Sequence, residues 1–286
     1  MTDNTFGGSH TEKKLETVAD YLNFYTTALK NQPFKLKYFD GFAGSGNTKH
    51  ITDLPLLKEG KDIEIMEGSA LRSLQINIPF HEYHFSDLSG GKTKQLALQV
   101  ADYPHLKERI SIKRGDIAEQ IGEFCRNMKK FDRAVIFLDP FGGQVNWKIL
   151  EKIAQTEKAD LWYLFPSGLN VVRQMKMDGT VLADARLNID ELFGTKDWVD
   201  EFVKHKEEPD LFGTQTTTIR EINSDAVTRY MIKRMNTIFK GGVLQSWLPL
   251  GKGNAQWYSL LFACANPSHA ANSLAIKAAK SILTKK

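Results

Sequence analysis

Short apolar segments typical of β-strands alternate with helix-like segments between residues 11 and 165 of this chain. The clearest strand signal is the uninterrupted apolar run at 134–138, which ends in Asp139-Pro140. Strand and helix alternate five times, and this order favours a parallel sheet with helices on both faces. The sequence therefore predicts an α/β protein of the Rossmann-like type.

The remaining segments are predicted to be insertions in this sheet and C-terminal additions to it. Gly68-Ser69-Ala70 is expected to open the helix that follows the first strand, so residues 47–67 are interpreted as an inserted loop. Residues 171–240 are predicted to form a helical insertion with a Thr-rich loop at 214–218. Strands at 243–248 and 257–265 suggest a C-terminal antiparallel hairpin. We expect a single domain over 1–286, closed by a helix at 268–283.

Composition argues for a cytoplasmic globular protein. The hydrophobic content of 42% is ordinary, no apolar run approaches the roughly 20 residues that span a bilayer, and residues 1–10 do not resemble a secretory signal. Cys125 and Cys264 are too few for a disulfide framework and suit a reducing compartment. The histidines lack metal-ligand spacing, so we expect no metal site.

A glycine-rich turn follows the first predicted strand, with the sequence Asp40-Gly41-Phe42-Ala43-Gly44-Ser45-Gly46. Glycines at this place let the chain turn tightly and let a ligand approach backbone N–H groups. The glycine order differs from that of dinucleotide-binding proteins. Asn47 stands where a phosphate loop needs lysine, which argues against ATP hydrolysis. A purely structural turn is the alternative interpretation.

Acidic residues follow the next three predicted strands. Asp87 lies where an acid accepts both ribose hydroxyls of a nucleoside ligand, and Asp116 is placed to accept from an adenine amine. Asp139 follows the fourth strand. Each acid alone is more often a helix N-cap, because Asp is favoured there, but acids at successive strand ends favour a ligand site.

These motifs resemble those of the class I S-adenosylmethionine-dependent methyltransferases. The turn at 40–46 is similar to their first motif, in the form seen in DNA and RNA methyltransferases. The resemblance is closer to the bacterial three-Cys-motif partner proteins. It rests on the turn, Gly68-Ser69-Ala70, the segments 137–142 and 162–166, and spans about residues 10–200.

The resemblance implies a methyltransferase-like fold, S-adenosylmethionine as cofactor, and a partner protein with a three-cysteine motif. The residues it implies for the cofactor are those of the turn, the two acids Asp87 and Asp116, and the apolar residues that follow them, Leu88 and Ile117. One departure from the pattern is the long spacing between Asp40 and Asp87. The inserted loop explains this spacing only if Gly68 opens the first helix.

The resemblance also implies chemistry for Asp139-Pro140-Phe141. In amino-methyltransferases, an acid at this place accepts hydrogen bonds from the target amine, and an aromatic ring stacks on the base. Asp139 and Phe141 match these roles, but the usual second proline is absent, and Gly142-Gly143 follows instead. The alternative is that Asp139 caps a helix and Phe141 lies in the core.

Two functions follow from these motifs. One is a methyltransferase acting on an amino group of nucleic acid or a nucleotide-like substrate. Residues 88–133 support it with a basic excess equal to the whole chain's +4, which could meet DNA or RNA phosphates. The other is a non-catalytic, cofactor-binding partner of a three-Cys-motif protein. A solvated face of two amphipathic helices also explains the basic stretch.

Overall fold

A seven-stranded sheet runs through the part of the chain that the computed structural model describes, residues 9–52, 62–176, 180–210, 213–220, 222–252 and 255–285. The strands of the molecule, in chain order, are β1 (Lys35–Asp40), β2 (Asn47–Thr52), β3 (Asp62–Glu67), β4 (Glu82–Asp87), β5 (Ile110–Arg114), β6 (Asp132–Leu138), β7 (Ala159–Phe165), β8 (Val203–Asp210), β9 (Gly213–Arg220), β10 (Leu248–Lys252) and β11 (Ala255–Cys264).

The helices agree with the predicted alternation. They are α1 (Ser9–Leu29), α2 (Ser69–Leu74), α3 (Gly90–Val100), α4 (Ile117–Arg126), α5 (Trp147–Gln155), α6 (Ala183–Phe193), α7 (Trp198–Phe202), α8 (Ser224–Met235) and α9 (His269–Leu283). A 3-10 turn at Pro104–Arg109 and a π-helical turn at Ser167–Val172 complete the set. Within the described ranges, no helix combines the length and apolar character needed to cross a membrane.

The sheet has the strand order β10-β11-β7-β6-β1-β4-β5. The strands from β7 to β5 pair in parallel, whereas β11 pairs antiparallel with both β7 and β10. This arrangement confirms the predicted Rossmann-like methyltransferase fold with a C-terminal antiparallel hairpin. The chain leaves β1 toward β4 on one side and later returns to β6 on the other. A ligand crevice is therefore expected outside the carboxyl ends of β1 and β6.

The core lies on both faces of the sheet, as the continuous apolar run in β6 predicts. Alternate residues of β6 point to opposite faces. Ile136 packs with α4, α5 and α8, whereas Phe137 packs on the face that α1, α2, α3 and α9 cover. Both side chains are fully buried. The helices on the two faces therefore hold the strand ends in fixed register.

Two β-hairpins were not predicted from the sequence. β2 and β3 pair within the segment interpreted as an inserted loop, while its residues 53–61 lie outside the described part. β8 and β9 pair within the segment interpreted as helical. The helices α6, α7 and α8 do occur there, but the Thr-rich stretch 214–218 belongs to β9 instead of a loop. The β-branched threonines of this stretch favour an extended strand over a turn.

The C-terminal hairpin is present but starts later than predicted. Val243, predicted inside the first strand, makes only an isolated bridge to Ala263, and β10 begins at Leu248. Pro249 lies within β10, which is possible because β10 is the edge strand and needs one set of ladder bonds only. Residues 253–254, which connect β10 to β11, lie outside the described part.

Candidate functional site

The glycine turn after β1 contains glycines with two different roles. A Cβ on Gly41 would lie 2.5 Å from Ile117 Cδ1, and one on Gly46 would lie 2.3 Å from Gln99 Oε1. Those two glycines therefore allow close packing inside the protein. Gly44 differs, because it has a φ of +63° and a Cβ there would have no atom of the described residues within 4 Å. Its backbone faces open space, as a ligand cradle requires.

Asp87 ties this turn to the end of β4. Its Oδ2 accepts a hydrogen bond from the Gly44 N–H at 3.2 Å, and its Oδ1 accepts one from the Ser89 N–H at 2.7 Å. The carboxylate is 8% exposed. Gly68 precedes α2 as its N-cap residue, so the condition for the long spacing between Asp40 and Asp87 is met. Each oxygen of Asp87 retains a lone pair for a further donor such as a ribose hydroxyl.

Asp40 is fully buried at the end of β1. Burial raises the pKa of its carboxyl from 3.8 to about 7, although the Ser69 side chain and the Phe42 N–H, 3.1 Å from Oδ1, oppose the rise. Within the described residues, its Oδ2 accepts no hydrogen bond of ordinary geometry. Asp40 is thus a fully buried acid next to the turn, and the Ser69 and Tyr38 side chains lie close to its carboxyl group.

The residues predicted to contact adenine differ in their exposure to solvent. Asp116 is exposed and caps α4, its Oδ1 accepting from the Ala118 N–H at 2.8 Å. Ile117 is buried and reaches over Gly41. Leu88 is 65% exposed, an unusual position for leucine directly after a central strand. An exposed apolar side chain and a helix-capping acid therefore flank the turn on the β4 and β5 side.

Asp139 lies beyond β6, one strand from the turn. Its Oδ2 forms an ion pair with Lys14 of α1, with an Nζ–Oδ2 distance of 2.5 Å. Pro140 is buried, whereas Phe141 is 57% exposed and has the Lys92 ammonium 5.0 Å from its ring centre. Phe141 is therefore a surface ring next to the acid and not a core residue.

The segment after β7 closes the site on the side of β6 and is held by a hydroxyl network. Ser167 and Ser259 hydroxyls lie 3.0 Å apart, and Ser259 and Thr228 hydroxyls 2.7 Å apart. A Cβ on Gly143 would lie 2.8 Å from Asn170 Nδ2. The network therefore fixes the π-helical turn so that Asn170 contacts the glycines that follow Phe141.

The basic stretch divides between the two ends of the sheet. Residues before β5 or at the start of β6 lie at the amino edge, about 17 Å from the carboxyl edge for a five-residue strand. This group comprises Lys107, Arg109, Arg126, Lys129, Lys130 and Arg133. The carboxyl-edge group follows β4 or ends β5 and comprises Lys92, Lys94, Lys113 and Arg114. Lys113 pairs with Glu123 at 2.6 Å. The predicted stretch is therefore not one continuous face.

Sequence reasoning missed Lys14, which is 9% exposed. Its contact with Asp139 joins residues 125 positions apart, and no local pattern reports such a distance. One signal was available. Lys14 lies on the same helical stripe as the buried residues Val18, Tyr21 and Tyr25, and a charge on an apolar stripe needs a buried partner.

One solved structure shares the fold over 96% of this chain. A Legionella pneumophila protein has a TM-score of 0.51 and 12% sequence identity, covering 96% of this chain and 94% of that one. An S-adenosylmethionine-dependent methyltransferase of Clostridium acetobutylicum has a TM-score of 0.37 at 11% identity, covering 88% and 91%. The magnesium protoporphyrin IX methyltransferase of Synechocystis with bound S-adenosylhomocysteine has 0.35 at 13%, covering 77% and 90%.

No protein-family model and no curated protein sequence matches the chain significantly. At these identities the Legionella structure shows the fold alone. The functional argument therefore rests on the residues at the carboxyl edge of the sheet.

Proposed function

We propose that this protein is an S-adenosylmethionine-dependent methyltransferase acting on an amino group of nucleic acid or of a nucleotide-like substrate. The observation that carries the proposal is the Gly44–Asp87 contact. It places a backbone turn open to a ligand against an acid suited to ribose hydroxyls. Asp139 stands at the adjacent strand end, where a reacting amine would lie.

The residues present fit the cofactor. The space beside Gly44 accommodates a ligand against backbone N–H groups. Asp87 and Asp116 would hold the ribose and the adenine, and exposed Leu88 would cover the adenine face. When bound, S-adenosylmethionine supplies an electrophilic methyl group.

Asp139 and Phe141 would position the target. With Oδ2 of Asp139 engaged by Lys14, Oδ1 is the atom that accepts the amine N–H and directs the nitrogen lone pair. Phe141 is exposed enough to stack on a base. A base within a duplex must first be flipped out, at a cost of a few kcal/mol.

Calorimetry with S-adenosylhomocysteine tests the cofactor site. Asp87→Ala should weaken binding by about 1.5–3 kcal/mol, the worth of a charge-assisted hydrogen bond, which corresponds to about a 10- to 150-fold higher Kd. Asp102→Ala, an exposed acid after α3, is the matched control and should bind normally. Absence of binding to the wild type at high micromolar ligand would overturn the proposal.

Transfer of labelled methyl groups to total cellular nucleic acid tests catalysis. Asp139→Ala should abolish the transfer because the amine loses its acceptor, while Asp102→Ala should retain it. Unchanged transfer in Asp139→Ala would refute the catalytic role of Asp139.

We further propose that the basic side chains at the carboxyl edge of the sheet, and not those at the amino edge, bind substrate phosphates. Lys92 lies beside Phe141, and Arg114 Nε donates to the Leu88 carbonyl at 3.3 Å. Lys92→Ala should reduce nucleic-acid binding and its salt dependence. Lys129→Ala, at the opposite edge, is the matched control; equal losses in both variants would contradict the assignment.

A second candidate function is a non-catalytic, cofactor-binding partner of a three-Cys-motif protein. The Lys14 ion pair on Asp139 and the glycines after Phe141 favour it, because both depart from an open amine site. Binding of S-adenosylhomocysteine without transfer to any nucleic-acid fraction, together with co-purification of such a partner, would favour this candidate over the enzyme.

A further inference from the structure

The contact between Lys14 and Asp139 is largely removed from solvent. The two side chains are 11% and 24% exposed, and Nζ lies 2.5 Å from Oδ2. A buried charge pair costs desolvation on both partners, and loss of one partner leaves the other charge unpaired. A pair at this place therefore needs a reason other than stability alone.

A second carboxylate lies close to this pair. Asp139 raises and Lys14 lowers the pKa of Asp40, beyond the larger effect of burial. Asp40 and Asp139 also raise the pKa of Tyr38, after burial itself. Lys14 thus lies within electrostatic range of two acids at adjacent strand ends and offsets their mutual repulsion.

The backbone that carries Lys14 is firmly held. Two helical turns later, the Tyr21 hydroxyl donates to Asp160 Oδ2 at 2.7 Å, and its ring lies 5.4 Å from that of Trp162 and 4.9 Å from that of Phe262. All three rings are fully buried. These contacts hold helix α1 in place and therefore limit the positions that the Lys14 ammonium can occupy.

We propose that Lys14 is a positioning residue that holds the Asp139 carboxylate in one orientation, so that Oδ1 faces the target amine. This inference rests on the proposed function. By binding Oδ2, the ammonium prevents the carboxylate from rotating. Oδ2 then pairs with Lys14, and Oδ1 remains to accept from the target amine. Misplacing a reacting group by about 1 Å can cost about 100-fold in rate, so the effect belongs to the rate and not to ligand affinity.

The experiment compares Lys14→Met with Lys13→Met, the adjacent residue of the same helix. Methyl transfer to total cellular RNA should fall about 10- to 100-fold at saturating substrate in Lys14→Met. The half-saturating RNA concentration and the S-adenosylhomocysteine Kd should stay within about twofold. Lys14→Arg should restore most of the rate, because guanidinium also pairs with carboxylate. Lys13→Met should behave as the wild type.

A combined variant separates this role from a structural one. In an Asp139→Asn background, adding Lys14→Met should cost less than about a further twofold, because Lys14 acts through Asp139. A full additional loss there, or a saturating rate in Lys14→Met equal to that of Lys13→Met, would overturn the inference. A wild type that neither binds S-adenosylhomocysteine nor transfers methyl groups would instead overturn the proposed function.

Discussion

Replacing Gly44 by alanine separates a ligand-binding glycine from a structural one. A left-handed backbone costs an L-residue about 1–2 kcal/mol, and Gly44 has a φ of +63°. The added methyl group meets no described atom within 4 Å, so no clash increases this cost. We expect the free energy of unfolding to fall by about 1–2 kcal/mol and the protein to remain folded.

Ligand binding should suffer more than stability explains. The new methyl group projects into the space that the cofactor would occupy, and we expect at least about a tenfold rise in the Kd for S-adenosylhomocysteine, or about 1.4 kcal/mol. Gly242 provides the control because it also has a positive φ, +93°, and open space at its Cβ. Gly242→Ala should lose at least as much stability and bind normally.

Urea unfolding followed by circular dichroism gives the stability of both variants, and calorimetry below the unfolding transition gives their affinities. The reasoning fails if Gly44→Ala binds S-adenosylhomocysteine as tightly as the wild type. It also fails if Gly242→Ala loses affinity to the same extent, because the effect would then come from general destabilisation.

Three further predictions follow from the described contacts. Asp87→Asn should lower the free energy of unfolding by about 1.5–3 kcal/mol in urea titrations, because an amide cannot accept from both the Gly44 and Ser89 N–H groups. Burial raises the pKa of Asp40 to about 7, so between about pH 4 and 7 the folded protein keeps a proton that the unfolded chain releases. The free energy of unfolding should therefore decline with rising pH in this range. Asp40→Asn should flatten this slope, and an unchanged slope would refute the assignment. Gly194→Ala should cost about 2–5 kcal/mol in the same titrations, because its φ is +65° and a Cβ would lie 2.2 Å from the Trp147 ring.

The strands and acids of the site were predictable because they depend on local patterns. The apolar run of β6 is followed by Asp139, and the predicted strand β4 ends at Asp87, so each strand end marks the carboxyl edge of the sheet. The opening of α2 at Gly68 was predictable for the same reason. Parallel pairing brings these ends together without further information from the sequence.

Features that depend on distant partners were not predictable. Lys14 meets Asp139, which lies 125 positions later in the chain, and only the packing of α1 determines that contact. The start of β10 was misplaced because Val243 is as apolar as a strand residue but lies beyond the regular pairing. Pro249 counts against a strand until its edge position is known.

The hairpin of β2 and β3 begins and ends at one point of the glycine turn, where the Gly68 N–H donates to the Gly46 carbonyl at 2.6 Å. Because its two ends meet, the hairpin can be lengthened, shortened or exchanged without moving β1 or α2. Such closed insertions cost little in loop entropy. Natural variation or engineering can therefore change the length of this hairpin while the frame around Gly44 stays constant.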